Sequence, residues 1–342
     1  MKIAVLTGGG DCPGLNAAIR AVVRKAKSLN YDCIGVERGW LGLIERSIKP
    51  LNARSVSGIL PIGGTILGTS RTNPMKIEGG FDKIKKTLEE EKIDALVAIG
   101  GDDTLGVASE LHKQNMLVVG VPKTIDNDVS GTDYCIGFDS AVTIVSDAID
   151  KLHTTASAHH RVMVVEVMGR DAGWVALVGG LSGGADWILI PEVPANIDEI
   201  CKHLHKRKSN GKDFSIIVVA EGVSLSDMPL AIESEVDAFG HVRLDRRGVG
   251  DRITKEVERR TGFETRVTVL GHVQRGGSPT VFDRVLATRL GVAAVERIQQ
   301  KQYGQMVGLK ANQIVEVPLD EAVKYSPRLV DLKLYELARL FY

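Results

Sequence analysis

The chain has 342 residues, 44% apolar and 25% charged, enough to bury a large core in two lobes rather than one. Lysine plus arginine and aspartate plus glutamate both number 43, so the formal net charge is zero. No global field draws such a chain to nucleic acid or an anionic membrane, and any anion site must be local.

The first element expected is a buried strand, Ile3–Thr7, running into the glycine loop Gly8–Gly14 and a helix from about Leu15 to Leu29. Asp94–Ile99 is a second buried strand, followed by the loop Gly100–Thr104 and another helix. Leu117–Val121 is a third, followed by the loop Pro122–Asp128. A long helix is expected over roughly Ser140–Ser157. Strands then follow at Val162–Val167, Trp187–Ile190, Ser215–Ala220 and Val267–Leu270, with helical stretches between them. This rhythm means an α/β fold with mostly parallel sheets, in which ligands sit beyond the carboxyl ends of the strands. Ser224–Arg252 breaks the rhythm and reads as an inserted hairpin or surface excursion. No apolar run is long enough to span a bilayer. The four cysteines, Cys12, Cys33, Cys135 and Cys201, have no metal-like spacing and point to a reducing, cytoplasmic setting.

Three of the loops carry chemistry. In Thr7–Asn16, glycines between a strand and a helix can make an anion cradle of backbone N–H groups, or simply a tight turn. Cys12 there reads as a small filler rather than an activated thiol. In Gly100-Gly-Asp-Asp-Thr, Asp102 and Asp103 offer hard oxygen ligands suited to Mg²⁺. A helix cap needs one carboxylate, and the second tilts the reading toward function. In Pro122-Lys-Thr-Ile-Asp-Asn-Asp, a lysine, a hydroxyl and two carboxylates can hold a metal, neutralise phosphate and accept a proton in one place. Further on, Arg161, Arg170, Arg266, His272 and Arg275 stand at strand ends or in glycine-rich loops, in the manner of a phosphate clamp. His153, His159 and His160 read as structural.

These motifs, in order over nearly the whole chain, resemble those of the phosphofructokinase family. The matching stretches are Thr7–Asn16, Gly68–Arg71, Gly100–Asp103, Pro122–Asp128, Val164–Arg170, Glu221 and Glu264–Pro279. The resemblance implies two Rossmann-like lobes with the active site between them. It implies residues 1–138 plus about 253–301 for the phosphoryl donor and 139–252 plus about 302–342 for the sugar phosphate. It also implies reversible transfer of a phosphoryl group to the 1-hydroxyl of fructose 6-phosphate in glycolysis or gluconeogenesis.

Carried over by position, Asp126 is the general base, with Thr124 beside it. Asp102 and Asp128 lie near Mg²⁺. Arg71 and Arg170 stabilise the moving phosphoryl group, and Gly9, Asp103 and Lys123 line the donor site. Thr124, Asp126, Asp128, Met168, Gly169, Arg170, Glu221, His272 and Arg275 meet the sugar phosphate. Arg161 and Arg266 resemble arginines that complete a neighbouring subunit's site, which implies a homodimer or homotetramer. ATP-using bacterial members typically have glycine where Asp103 and Lys123 stand here. A carboxylate at 103 would repel the α-phosphate of ATP, and Lys123 can reach the outer phosphate of pyrophosphate. Pyrophosphate is therefore the expected donor. Some ATP-using relatives carry the lysine, so Asp103 carries most of the inference. Arg20, Arg24 and Lys212 match the family's basic effector pocket, but His153 replaces an arginine there, so effector control is not expected.

The rival readings are an ATP-dependent phosphofructokinase, an NAD or lipid kinase, and a non-catalytic subunit that only binds sugar phosphate. The second lacks the Lys123–Asp128 and Gly271–Gly277 motifs, and the intact Asp102, Asp126, Asp128 and Arg170 argue against the third.

Overall fold

The computed structural model describes residues 1–226, 236, 238–240 and 248–342. Of the expected excursion over 224–252, residues 227–235, 237 and 241–247 lie outside the described residues. The chain divides into two compact units: residues 1–140, 238–241 and 275–327, and residues 141–237, 242–274 and 328–342.

The first unit is built on seven strands in the order β11-β10-β5-β4-β1-β2-β3. Its centre is β1 (Lys2–Thr7), β4 (Ala95–Gly100) and β5 (Val118–Pro122), parallel to one another and apolar almost throughout. Such runs are what strands covered on both faces require. Beside β1 lie β2 (Asp32–Val36) and the antiparallel edge strand β3 (Ile48–Leu51). Beyond β5 come β10 (Gln305–Lys310), parallel to it, and β11 (Gln313–Pro318), antiparallel. One face of this sheet packs on α2 (Trp40–Glu45), α3 (Gly80–Glu90), α4 (Asp102–Lys113) and α10 (Leu319–Lys324). Ala4, Leu6, Leu96, Ala98 and Met306 meet Leu43, Ile84, Leu105, Leu111 and Ala322 in one buried cluster. α1 (Leu15–Ser28) packs against α9 (Val281–Gln299).

The second unit has four parallel strands in the order β7-β8-β6-β9: β7 (Trp187–Leu189), β8 (Ser215–Ala220), β6 (Val162–Val167) and β9 (Thr265–Val269). Its helices include α6 (Trp174–Ser182), α7 (Ile197–Ser209), α8 (Val249–Thr261) and α11 (Leu332–Arg339), and α5 (Phe138–His159) runs into it from the first unit.

Two stretches fall in the other unit from the one the sequence suggested. Residues 253–274 join the second, because Thr265 and Arg266 pair with Val162 and Met163. Residues 302–327 join the first, because Gln305 and Met306 pair with Val119 and Gly120. No helix among the described residues is long and apolar enough to cross a membrane.

Candidate active site

In the first unit, β5, β4 and β1 are successive neighbours and run the same way, so the loops at their carboxyl ends lie side by side. The loops also fit into one another. A side chain on Gly8 would meet Thr104 Oγ1 at 2.5 Å, and one on Gly100 would meet the same atom at 2.4 Å. The first and second loops therefore close on a shared threonine with no room for a Cβ. Gly8 N–H donates to Ile99 O at 2.9 Å, and Gly9 N–H to Ser70 O at 3.2 Å. Thr69 Oγ1 donates to Gly9 O at 2.5 Å, which brings the stretch carrying exposed Arg71 against the first loop. Two amides of the expected anion cradle are thus already used in holding the loop. Asp102 and Asp103 occupy the first turn of α4, next to Gly101, whose missing side chain would lie 3.6 Å from Lys123 O.

The third loop is buried. Lys123 is 2% exposed, and its ammonium donates to Gly8 O at 2.9 Å and to Gly10 O. Burial pushes the lysine pKa below its ordinary value. Sequence reading had this ammonium reaching for the donor's outer phosphate; in the structure it holds the backbone of the first loop. Asp126 is 4% exposed. Its Oδ2 accepts from Thr124 Oγ1 at 3.3 Å, and its own N–H donates to that hydroxyl oxygen at 3.1 Å. Asp126 Oδ1 is buried and has no hydrogen-bond partner among the described residues. A buried carboxylate oxygen left unmatched costs free energy, and functional sites are where such a cost is retained. Asp128 is buried two residues on. Between them Asn127, in a left-handed conformation (φ 53°), accepts from Cys135 N–H at 2.8 Å and donates to Asp133 O at 3.1 Å.

Arg275 also belongs to this unit. Its guanidinium lies against Gly10, where a Cβ would meet Nη1 at 1.7 Å, and donates to Asp11 O at 3.3 Å. Sequence reading grouped it with His272 as a sugar-phosphate contact; the structure puts it on the first glycine loop. Burial pushes the Cys12 thiol up to about 12, which fits the filler reading.

Sequence reading missed Asp283. It is fully buried and accepts from Gly137 N–H at 2.9 Å, Ser140 N–H at 2.9 Å and Ser140 Oγ at 2.7 Å. It thereby ties α9 to the segment that follows the third loop. Burial raises its carboxyl to about 6 although these hydrogen bonds favour the ionised form. The one signal was the capping pattern Thr280-x-x-Asp283, in which Thr280 Oγ1 accepts from Asp283 N–H at 3.2 Å.

In the second unit the loops after β8, β6 and β9 are likewise neighbours. Met168–Gly169–Arg170 follows β6, with Arg170 in a left-handed conformation (φ 53°). Glu221 Oε1 accepts from Gly169 N–H at 3.3 Å and Arg170 N–H at 3.2 Å, so this carboxylate fixes the turn. His272 lies exposed in the short 3₁₀ turn Gly271–Arg275 after β9. Arg161 and Arg266 stand elsewhere. Both pair with Glu264, at 2.7 and 2.6 Å, and sit at the amino ends of β6 and β9. A six-residue strand separates Arg161 from Met168. At about 3.3 Å per residue, that puts them roughly 20 Å apart. Within this unit the two arginines are at the opposite end of the sheet from Met168, Gly169, Arg170, Glu221 and His272.

No group of three or more histidine, cysteine or carboxylate ligands is gathered into a metal cage among the described residues. Asp102, in the first turn of α4, and buried Asp128, in the third loop, offer hard carboxylate oxygens of the kind that suit Mg²⁺.

A family model described as phosphofructokinase matches residues 2–298. The chain is 52% identical over 345 aligned positions to a pyrophosphate–fructose 6-phosphate 1-phosphotransferase of Amycolatopsis mediterranei, covering 100% of both chains. It is 51% identical over 326 positions to an ATP-dependent 6-phosphofructokinase of Corynebacterium efficiens, covering 94% of each. Among solved structures, a phosphofructokinase of Saccharomyces cerevisiae matches with a TM-score of 0.82 and 33% identity. That match covers 99% of this chain and 46% of the yeast chain, so this chain spans less than half of that one.

Proposed function

The chain belongs to the phosphofructokinase family, and from that premise we propose that it phosphorylates fructose 6-phosphate at the 1-hydroxyl, taking the phosphoryl group from pyrophosphate and releasing inorganic phosphate. The observation that carries this reading is Asp126, buried, held by Thr124 and presenting one carboxylate oxygen with no partner among the described residues. An alcohol is too weak an acid for Asp126 to deprotonate before reaction. It need not do so, because phosphoryl transfer passes through a loose transition state in which the nucleophile needs orientation and, late, a place for its proton. Asp126 Oδ1 supplies both.

The first unit is assigned the donor. Gly9 and the first loop line its site, Lys123 sets that loop and adds a positive charge behind it, and Arg71 neutralises the moving phosphoryl group. Asp102 and Asp128 would hold Mg²⁺, which when bound shields the phosphate oxygens and polarises the P–O bond that breaks. The second unit is assigned the sugar phosphate. Arg170 balances charge on the transferring group, Glu221 sets the loop bearing it, and Met168, Gly169 and His272 contact the sugar.

The two relatives differ in the donor their names state at nearly equal identity, so overall similarity does not choose between pyrophosphate and ATP. Asp103 and Lys123 favour pyrophosphate by charge. The test of the reaction itself is ³¹P NMR of the purified protein with Mg²⁺, fructose 6-phosphate and pyrophosphate. Fructose 1,6-bisphosphate and phosphate should appear in equal amounts; consumption of pyrophosphate without a sugar bisphosphate would sink the reading.

The distance of Arg161 and Arg266 from the other second-unit residues supports a homo-oligomer in which they serve a neighbouring chain's site. Arg266→Ala and Asp126→Asn subunits, each nearly inactive alone, should then regain activity when mixed and allowed to exchange. A hybrid interface would contain one site free of both defects. Subunit exchange with no gain in rate would put these arginines outside the neighbour's site.

A further inference from the structure

The turn Met168–Gly173 is pinned at both ends by carboxylates from elsewhere in the second unit. Glu221 holds its start. Glu192 holds its end: Gly173 N–H donates to Glu192 Oε1 at 2.9 Å and to Oε2 at 3.1 Å. Between them Arg170 is kept left-handed, a conformation that costs a non-glycine residue free energy and persists where the surroundings impose it. The walls of the turn are close. A Cβ on Gly173 would meet Ile190 Cβ at 2.4 Å, and one on Gly222 would meet Arg170 O at 2.1 Å and Pro191 Cγ at 3.2 Å. Ile190, just past β7, therefore lies against the Gly173 end of the arginine's loop, while Arg170 O and Pro191 both lie against Gly222.

Glu192 has a second customer. Its Oε1 also accepts from Val330 N–H at 3.0 Å. Two residues earlier, Arg328 O accepts from Trp174 Nε1 at 2.8 Å, and the Arg328 guanidinium lies 4.3 Å from the centre of the Trp174 ring. Trp174 directly follows Gly173 and opens α6. One carboxylate and one indole thus join the Arg328–Val330 segment, far away in sequence, to the end of the loop that carries Arg170.

We propose that Glu192 is a positioning residue for Arg170, and that Arg328–Val330, clamped by Glu192 and Trp174, is the strap that sets it. The inference rests on the assignment of Arg170 to the transferring phosphoryl group. Loss of Glu192 frees the Gly173 end of the turn while Glu221 still holds the start. Arg170 then loses its alignment with charge that develops in the transition state, and the sugar contacts at Met168 and Gly169 remain. Because small misplacements of such groups cost rate far more than binding, kcat should fall about tenfold or more while KM for fructose 6-phosphate changes less than about threefold.

The test is a double-mutant cycle in the full-length protein, assayed with Mg²⁺, fructose 6-phosphate and pyrophosphate well below the melting temperature. Glu192→Ala should lower kcat as stated. In an Arg170→Ala background it should lower the residual kcat no further, because the residue it positions is gone. Trp174→Phe keeps an aromatic ring, removes the N–H to Arg328 O and should shift kcat in the same direction; it decides the question if Glu192→Ala does not fold. Equal fold losses from the Glu192 or Trp174 change in both backgrounds, or a lowered melting temperature with unchanged kcat, would overturn the positioning role while leaving the assigned reaction in place. Wild-type turnover by Arg170→Ala would instead remove Arg170 from the reaction, and the inference with it.

Discussion

Asp126→Asn is expected to lower kcat by about 10²–10⁴-fold while KM for fructose 6-phosphate changes little. The amide has the shape of the carboxylate and can still accept from Thr124 Oγ1, which now lies 3.3 Å from Oδ2. It cannot take up a proton. It also places either a neutral oxygen or an N–H donor where the buried, unpartnered Oδ1 stands. The 1-hydroxyl of the sugar would then lose its acceptor in the transition state but not its site in the ground state. That split is the signature of an interaction made mainly as the reaction proceeds. Circular dichroism should stay near wild type, because the amide can keep the hydrogen bond from Thr124 Oγ1 and the one from Asp126 N–H to that hydroxyl is unchanged. Steady-state kinetics on the pure variant decides the matter: turnover within threefold of wild type would remove Asp126 from proton transfer.

The central strands of each unit were legible because β1, β4, β5, β6 and β8 are buried on both faces, and such strands read as unbroken apolar runs. The edge of the first sheet was not. Ile48–Leu51 is a short edge strand carrying Pro50, and prolines are tolerated in sheets chiefly at edges. The β10–β11 hairpin turns on Ala311 and Asn312, both with positive φ, without the Asn-Gly or Asp-Gly pair that marks such turns. Missing that hairpin also hid the unit to which 302–327 belongs, since its membership depends on pairing with β5, nearly two hundred positions earlier.

For the site, the loops and their residue types were readable, because glycines and carboxylates after strands announce a ligand. Their partners were not. Nothing in the local sequence says that Lys123 will donate to Gly8 and Gly10, that Glu221 will hold two amides rather than a hydroxyl, or that Asp283 will brace Gly137 and Ser140. Each of these bonds joins residues more than fifty apart, and chain topology alone decides them. Arg161 and Arg266 show the same limit from the other side. Both stand beside strands, but only the pairing shows that they share Glu264 at the amino ends.

Asp103→Gly should admit ATP. Asp103 stands in the first turn of α4, on the second loop, which closes against the first through Thr104. With the donor placed as proposed, the α-phosphate of a nucleotide would bring to this loop a further negative charge that pyrophosphate lacks. Two like charges about 4 Å apart repel by about 4 kcal/mol at an effective dielectric of about 20. Each factor of ten in rate corresponds to about 1.4 kcal/mol, so a single carboxylate can account for a selectivity of a hundredfold or more. Removing it should raise kcat/KM for ATP by at least tenfold. Lys123→Gly in the same chain should weaken use of pyrophosphate, both by removing positive charge and by releasing the Gly8 and Gly10 carbonyls it now holds. An efficient ATP enzyme is not expected, since nothing else in the site is changed to receive adenine.

The most direct measurement is the ratio of kcat/KM for pyrophosphate to that for ATP, taken on the unmutated protein with Mg²⁺ and saturating fructose 6-phosphate. The predicted ratio is about a hundred or more in favour of pyrophosphate. A ratio below one, with fructose 1,6-bisphosphate formed from ATP and none from pyrophosphate, would contradict the donor assignment and the role given to Asp103.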